Sequence, residues 1–266
     1  MNDTDHALQA DAQAARHKRI IELIQRDGYV RVFDLSKLLD VSEITIRRDL
    51  ALMEKEQLLE RTHGGAISTT RIYKETKYSK RSDLHRENKD AIARRAAELI
   101  QDGDTVFING GSTTFHVFRY IARANLKIVT INAGCIGQVM NPEVELILAG
   151  GQYYPESNSF YGGFTTGILS QINASKAILG VHGISCRYGL TTPMQYAAEA
   201  TRLMIERTRG EVIVVADHTK IGVVSDYVTV TADRINTLVT DWLPEQDYSK
   251  DFESLGIRVI QTNPRQ

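Results

Sequence analysis

VSEITIRRDL, residues 41–50, decides how the first quarter of the chain is built. Ser42 offers a hydroxyl to the free amides of a first helical turn, and Glu43 behind it opposes the helix dipole. Ile46, Leu50 and Met53 recur at i, i+4 and i+7, the spacing of a buried stripe. Ile44, Thr45, Arg47 and Arg48 then lie on the other side, near the helix start. Upstream, Ile20, Ile21, Leu23 and Ile24 form an apolar stripe that Gly28 stops. Tyr29 to Val32 suits a brief strand. A short helix follows from about Val32 to Leu39, with Leu35, Leu38 and Leu39 facing inward, and Asp40-Val41 turns the chain. Downstream, Leu59 to Ile67 contains Gly64-Gly65 beside His63, a hairpin tip that Arg61 and His63 flank. Helix, short helix, turn, longer helix and basic hairpin make a winged helix-turn-helix. Its third helix enters a DNA major groove, and its wing rests on the phosphate backbone. Arg47 and Arg48 taken alone fit equally well a solvated helix on which they pair with Asp49 and Glu43.

The 266 residues, 42% apolar and 24% charged, suit one or two ordinary globular domains. Apolar runs such as Val212 to Ala216 fall far short of the ~20 residues that span a bilayer. The start, MNDTDHALQADAQAAR, has no cationic segment followed by an apolar one, so the cytoplasm is the expected compartment. Cys135 and Cys186, without ligand-type neighbours at metal spacing, argue against a disulfide framework or a zinc cluster. No metal and no cofactor are expected. Between Arg16 and Arg95 there are nineteen Lys and Arg against thirteen Asp and Glu; from Ala96 onward the numbers are thirteen and seventeen. A basic head on an acidic body directs a polyanion to the head.

Residues 1–15 read as a polar tail, 16–70 as the winged helix-turn-helix (helix-turn-helix about 33–52), 71–90 as a linker and 91–266 as an α/β domain. A helix from Lys89 to Ile100 ends at Asp102-Gly103. Strands are expected at Thr105–Asn109, Lys127–Ile131, Glu145–Ala149, Lys176–Gly180, Glu211–Ala216 and Thr237–Thr240. Helices are expected at Thr114–Ala124, Phe164–Gln171 and Ala197–Arg209. Such alternation predicts a mostly parallel sheet with ligands at the carboxyl ends of its strands. Asn109-Gly110-Gly111-Ser112-Thr113-Thr114 is an anion-cradling loop of this kind, or equally a plain Ser/Thr helix cap. Asn132 with Gly134, Gly150-Gly151, the polar loop Ser157 to Gly163, and Asp217-His218-Thr219-Lys220 end other strands.

Arg16 to Ala66, above all VSEITIRRDL followed by ERTHGGA (Glu60 to Ala66), resembles the DNA-binding domain of DeoR-type bacterial transcription regulators. DGDTVFINGGSTT, LAGG, YGLTT, VADHTKIG and VTDW, spread over Asp102 to Trp242, are similar to that family's C-terminal domain. The resemblance implies a sensor domain akin to ribose-5-phosphate isomerase and CoA-transferase folds, and a repressor of a carbohydrate operon that a phosphorylated sugar controls. It implies operator contacts from Ser42, Thr45, Arg47, Arg48, Arg61, His63, Gly64 and Gly65. Ser112, Thr113, Thr114 and Lys220 would meet a phosphate, Asn132 a sugar hydroxyl, with Gly111 and Gly151 in the effector loops. A homo-oligomer, dimer or tetramer, would present paired recognition helices. The chain departs from the family at Gln57, Val181-His182-Gly183, Ala197 and Thr201, and in the interrupted pair Thr130-Ile131-Asn132. The rival reading is a sugar-phosphate isomerase carrying a DNA-binding head. It needs a base and a polarising group, for which His182, Ser185, Asp217 and Glu199 are available. A redox switch at Cys135 and Cys186 is a third.

Overall fold

The computed structural model describes residues 13–24, 29–56, 58–61, 64–67, 78–139, 141–243 and 246–262. In the head, α1 (13–24) buries Ile20, Leu23 and Ile24. It is followed by β1 (Tyr29–Arg31), α2 (Val32–Leu38), α3 (Glu43–Lys55), β2 (Glu60–Arg61) and β3 (Gly65–Ile67). The three strands pair antiparallel in the order β1-β3-β2, which makes the wing. Ile46, Leu50 and Met53 of α3 close the core against α1, α2 and Leu59. Leu38 does not join them and is 60% exposed. The inward stripe of this segment runs through Val32, Leu35 and Leu39, and at 3.6 residues per turn Leu38 lies roughly 90° from its centre. Gly28 and Gln57 lie outside the described residues.

In the body, α4 (Tyr78–Asp83) and α5 (Arg86–Ala97) precede β4 (Thr105–Ile108), α6 (Ser112–Val117), β5 (Leu126–Thr130) and β6 (Val144–Leu148). A ribbon of β7 (Gln152–Tyr154) and β8 (Ser159–Tyr161) leads to α7 (Gly163–Leu169) and β9 (Ala174–Gly180). Then come β10 (Gly183–Ser185), β11 (Gly189–Thr192), α8 (Gln195–Glu206), β12 (Thr208–Val215), β13 (Tyr227–Val230), β14 (Thr237–Thr240), α9 (Gln246–Ser254) and β15 (Arg258–Gln261). Seven strands form one sheet in the order β15-β14-β12-β9-β4-β5-β6, every neighbouring pair parallel. Both faces are covered, as parallel sheets require. Val106 and Ile108 of β4 pack with Ile92 and Ala96 of α5, while Phe107 points to the opposite core with Leu169, Ala200 and Met204.

Several expected boundaries move. Residues 78–90, read as linker, form α4 and the start of α5, and the expected helix Lys89–Ile100 runs over Arg86–Ala97. The expected helix Thr114–Ala124 shortens to α6 and a single 3-10 turn, Phe118–Tyr120. The Asp102 carboxylate accepts from the Ala124 amide at 3.0 Å, and Gly103 donates to the Ala124 carbonyl, fixing the chain as it enters β5. Helix α8 stops at Glu206 because β12 already begins at Thr208, paired with Ala174. The polar loop Ser157 to Gly163 contains β8, whose Ser159 and Tyr161 face inward.

Candidate functional site

Two surfaces carry chemistry. The first is the start of α3. The Ser42 Oγ accepts from the Thr45 amide at 3.2 Å, and the two hydroxyls lie 2.9 Å apart. Arg47 and Arg48 are exposed, and Ile44, 80% exposed, stands beside them. Arg47 reaches Glu43 at 3.4 Å, a solvated pair of little energetic weight. Asp49 takes no part in it. That carboxylate is buried and accepts from Arg16 Nη2 at 3.1 Å, with His17 Nε2 at 3.2 Å, tying α3 to α1. Burial alone would raise the Asp49 carboxyl, but the Arg16 and His17 hydrogen bonds outweigh it and hold it below its ordinary value. The helix thus turns its acid inward and its two arginines outward. On the wing, the Arg61 amide donates to Glu54 Oε1 at 3.1 Å and its side chain is exposed. The Gly64 carbonyl accepts from the Val32 amide at 2.9 Å, and Gly65 pairs with Arg31. His63 lies outside the described residues.

The second surface is a cleft where the strand order reverses, between β4 and β9, at the carboxyl ends of the sheet. Open α/β sheets bind ligands there. Strand pairing stops at Ile108 and Ile178. Beyond it the Asn109 side-chain amide donates to the Gly180 carbonyl at 2.9 Å, and its carbonyl oxygen accepts from the Gly180 amide at 2.8 Å. The cleft, about 440 Å³ including its opening, is walled by Asn109, Gly110, Gly111, Tyr161, Val181 and Thr191, with Arg81 and His182 on one side and Ala197 and Thr201 on another. Among the described residues no Asp or Glu lines it.

Arg81 of α4 is buried and donates from Nη1 to His182 Nε2 at 2.5 Å and from Nη2 to the Glu156 carbonyl at 3.1 Å. Arginine has no acceptor, so His182 presents a lone pair at Nε2 and carries its proton on Nδ1, 3.0 Å from the Thr192 hydroxyl. Burial, together with the charges of Arg81 and Lys220, pushes His182 well below the ordinary histidine value, so the ring is neutral. Lys89, also buried, donates from Nζ to the Arg81 and Leu84 carbonyls and closes the end of α4. Burial lowers Lys89 to about 8; the nearby Lys220 and Arg81 push the same way, and Asp217 opposes them.

A DeoR-like helix-turn-helix domain matches residues 16–71, and a DeoR C-terminal sensor domain matches residues 84–242. The transcriptional regulator GlpR of Haloferax volcanii is 32% identical over 93% of this chain and 97% of its own. The repressor GlcR of Bacillus subtilis is 31% identical, covering 94% and 96%. The glycerol-3-phosphate regulon repressor of Escherichia coli K12 is 35% identical, covering 79% and 83%. The chain belongs to the DeoR family of transcription regulators. Among solved structures, ribose 5-phosphate isomerase A of Methanocaldococcus jannaschii is similar at 15% identity and a TM-score of 0.36, covering 50% of this chain and 53% of that one.

This DeoR-family chain is a regulator rather than an enzyme, and of the four groups weighed for isomerase chemistry His182 alone lines the cleft. His182 has its basic nitrogen against Arg81. Ser185 is buried and accepts from the Tyr188 amide, Asp217 is buried and accepts from the Thr219 amide, and Glu199 is exposed. Burial raises the Cys135 thiol, and burial with Asp251 and Glu60 pushes Cys186 up to about 12, so neither supplies a thiolate near neutrality. Among the described residues no cluster of His, Cys, Asp and Glu could hold a metal, and no helix is long and apolar enough to cross a membrane.

Of the residues expected at the effector, Gly111 lines the cleft. Thr114 is fully buried and donates to the Asn109 and Gly111 carbonyls. Asn132, fully buried too, donates to the Gly111 carbonyl and accepts from the Gly134 amide. These two shape the loop from within. Ser112 and Thr113 open α6 and are largely buried. Gly151 packs against the β8–α7 junction, where a Cβ would sit 2.3 Å from the Thr165 hydroxyl. Lys220 ends a 3-10 turn after β12, half-buried and near enough to act on His182. Arg81 was hidden to sequence reading inside a basic, linker-like stretch. The departures Val181, His182, Ala197 and Thr201 all border the cleft.

Proposed function

We propose that this regulator is a repressor of a carbohydrate operon, and that a small phosphorylated sugar or polyol in the cleft lowers its operator affinity. The observation that carries the reading is the wall chemistry: threonine hydroxyls, a buried guanidinium, and no carboxylate among the described residues. A relative named for a glycerol-3-phosphate regulon is consistent with that ligand class. Ser42, Thr45, Arg47 and Arg48 read or anchor operator DNA, with Ile44 offering an apolar contact to a thymine methyl. Arg61, Gly64 and Gly65 bring the wing to the phosphates. A homo-oligomer spans repeated half-sites, since each chain brings one recognition helix.

Fluorescence anisotropy on DNA upstream of the neighbouring genes, at ~150 mM salt with competitor DNA, tests both parts. Specific binding that one phosphorylated sugar weakens supports the reading. Specific binding that no phosphorylated sugar alters sinks the effector half. Arg48→Ala is expected to lose sequence preference with the fold intact; operator binding equal to wild type would mean the recognition surface lies elsewhere.

A further inference from the structure

At the first turn of α4 lies a second cavity that shares no lining residue with the cleft. Tyr78 and Ser79 of α4 form one wall, and Tyr153, Pro155, Glu156 and Asn158 of the β7–β8 ribbon form the other. Its volume, about 770 Å³ including the opening, falls within the roughly 300–1,000 Å³ range of small-molecule sites. Two backbone bonds fix the tip of the ribbon. The Glu156 carbonyl accepts from the Tyr78 amide at 2.9 Å, and the Asn158 carbonyl accepts from the Ala133 amide at 3.0 Å. Tyr153 is 47% exposed and still held in place. Its hydroxyl donates to Asn158 Oδ1 at 2.9 Å, and its ring centroid lies 5.6 Å from that of Phe160. The walls are therefore set before any ligand arrives.

The lining combines the ring faces of two tyrosines and a proline with hydroxyls, an amide and a carboxylate. That mixture suits a carbon skeleton carrying hydroxyls, with C–H groups on the rings and O–H groups on the polar atoms. Charge narrows the choice further. Glu156 is exposed and is the one charged residue of the lining, so it repels a phosphate or a carboxylate. Arg81 and Arg119, outside the lining, both act on the Tyr78 phenol, and the same two charges disfavour a cation. We propose that this cavity is a second ligand site of the body and takes a neutral sugar or polyol. The proposal stands whatever the cleft binds. A free sugar and its phosphate ester are told apart here by Glu156, which accepts hydroxyl protons from the first and opposes the charge of the second.

The test uses the full chain and, as probes, glucose, galactose, ribose and glycerol, each beside its phosphate ester. Saturation-transfer NMR detects binding, and calorimetry gives the affinities. At least one neutral probe is expected to bind, with contacts between its C–H protons and the Tyr153 ring. Tyr153→Ala is expected to weaken that probe about 10-fold with probe-free operator binding unchanged. Tyr153→Phe, which keeps the ring and drops the hydroxyl, should lose less. A panel in which no neutral probe binds overturns the proposal. Binding that Tyr153→Ala leaves at wild-type strength places the sugar elsewhere and overturns it as well. A phosphate ester that contacts the Tyr153 ring as strongly as its free sugar would overturn the neutral part. Should Tyr153→Ala not fold, the wild-type contacts to the Tyr153 ring, assigned with Tyr153→Phe, decide the matter. Their presence supports the site, and their absence with a bound probe overturns it.

Discussion

Asn109 replaces, with one side chain, the strand pairing that β4 and β9 give up beyond Ile108 and Ile178. The next residue must be glycine for a different reason. A Cβ on Gly110 would lie 2.0 Å from the Ser159 hydroxyl and 2.8 Å from its Cβ, so the β8 ribbon packs directly on the loop. Gly110→Ala is therefore expected to destabilise the body by about 1–3 kcal/mol, as overpacking does, and adding Ser159→Gly should restore much of it. Urea unfolding of both variants would show this, and no rescue by the second change would mean the clash is relieved elsewhere. A second residue-scale prediction concerns Asp241, buried between β14 and the turn after β12. It accepts from the His218 amide and Nδ1, each at 2.7 Å, and from Asn88 at 2.6 Å. The Asp241 hydrogen bond raises His218 above its ordinary value against the effect of burial. A histidine raised in the folded state contributes fully below about pH 6.5 and loses that contribution as pH climbs through its folded value. Asp241→Asn is expected to cost about 2–3 kcal/mol at pH 6 and to flatten the fall in stability between pH 6 and 8. An undiminished fall in the variant would assign that titration to another group.

Helix α3 was legible in the sequence because every local signal agreed: the Ser42 cap, the 3.6-residue stripe and the basic outer face. Ser42→Ala, which removes the side-chain acceptor at that helix start, is expected to lower head stability by about 1 kcal/mol. Calorimetry should detect the drop, and operator affinity should fall as the first turn frays; a variant as stable as wild type would mean water caps the helix equally well. The main parallel strands were legible for a similar reason, being continuous apolar runs buried on both faces. Elements that owe their existence to distant partners were not. Helix α4, YSKRSD, has the composition of a solvated linker, and its burial comes from His182, Glu156 and Lys89. Strand β15 lies at the sheet edge with Arg258 and Gln261 exposed, so its pattern carries little apolar signal. The cleft followed the same division. Gly111 and the reversal loop could be found from glycines and hydroxyls after a strand. Arg81 could not, because a charged residue announces its burial only through the fold around it.

Head and body meet through the wing. Glu60 of β2 lies near enough to Arg187, in the turn between β10 and β11, for that residue to act on its carboxyl, and the other end of that hairpin carries Thr191 and Thr192 into the cleft. One short hairpin therefore spans the distance from ligand wall to wing, a contiguous route for coupling that typically amounts to about 1–3 kcal/mol. Its contact with the head is pH-sensitive. Burial pushes the Glu60 carboxyl up to about 7; Arg187 opposes the shift, while Glu54 and Asp251 add to it, and the Cys186 thiol beside them stays protonated. An acid raised in the folded state favours the folded arrangement most below its unfolded value near 4.5, and that advantage disappears as pH rises through about 7. At pH 8 the wild type must hold a charged, partly desolvated carboxylate at the junction, which Glu60→Gln need not. The variant is expected to match the wild type near pH 4 in scanning calorimetry and to exceed its Tm increasingly from about pH 4.5 to 7, with the difference levelling off above that. Its operator affinity should show less pH dependence over the same window. Because the Asp241 hydrogen bond raises His218 as well, the comparison is best made in the Asp241→Asn background, where that contribution has been removed. A Tm difference between the Glu60→Gln variant and its parent that stays constant at every pH would mean that the carboxyl is hydrated at the junction, and that the hairpin reaches the wing through packing alone.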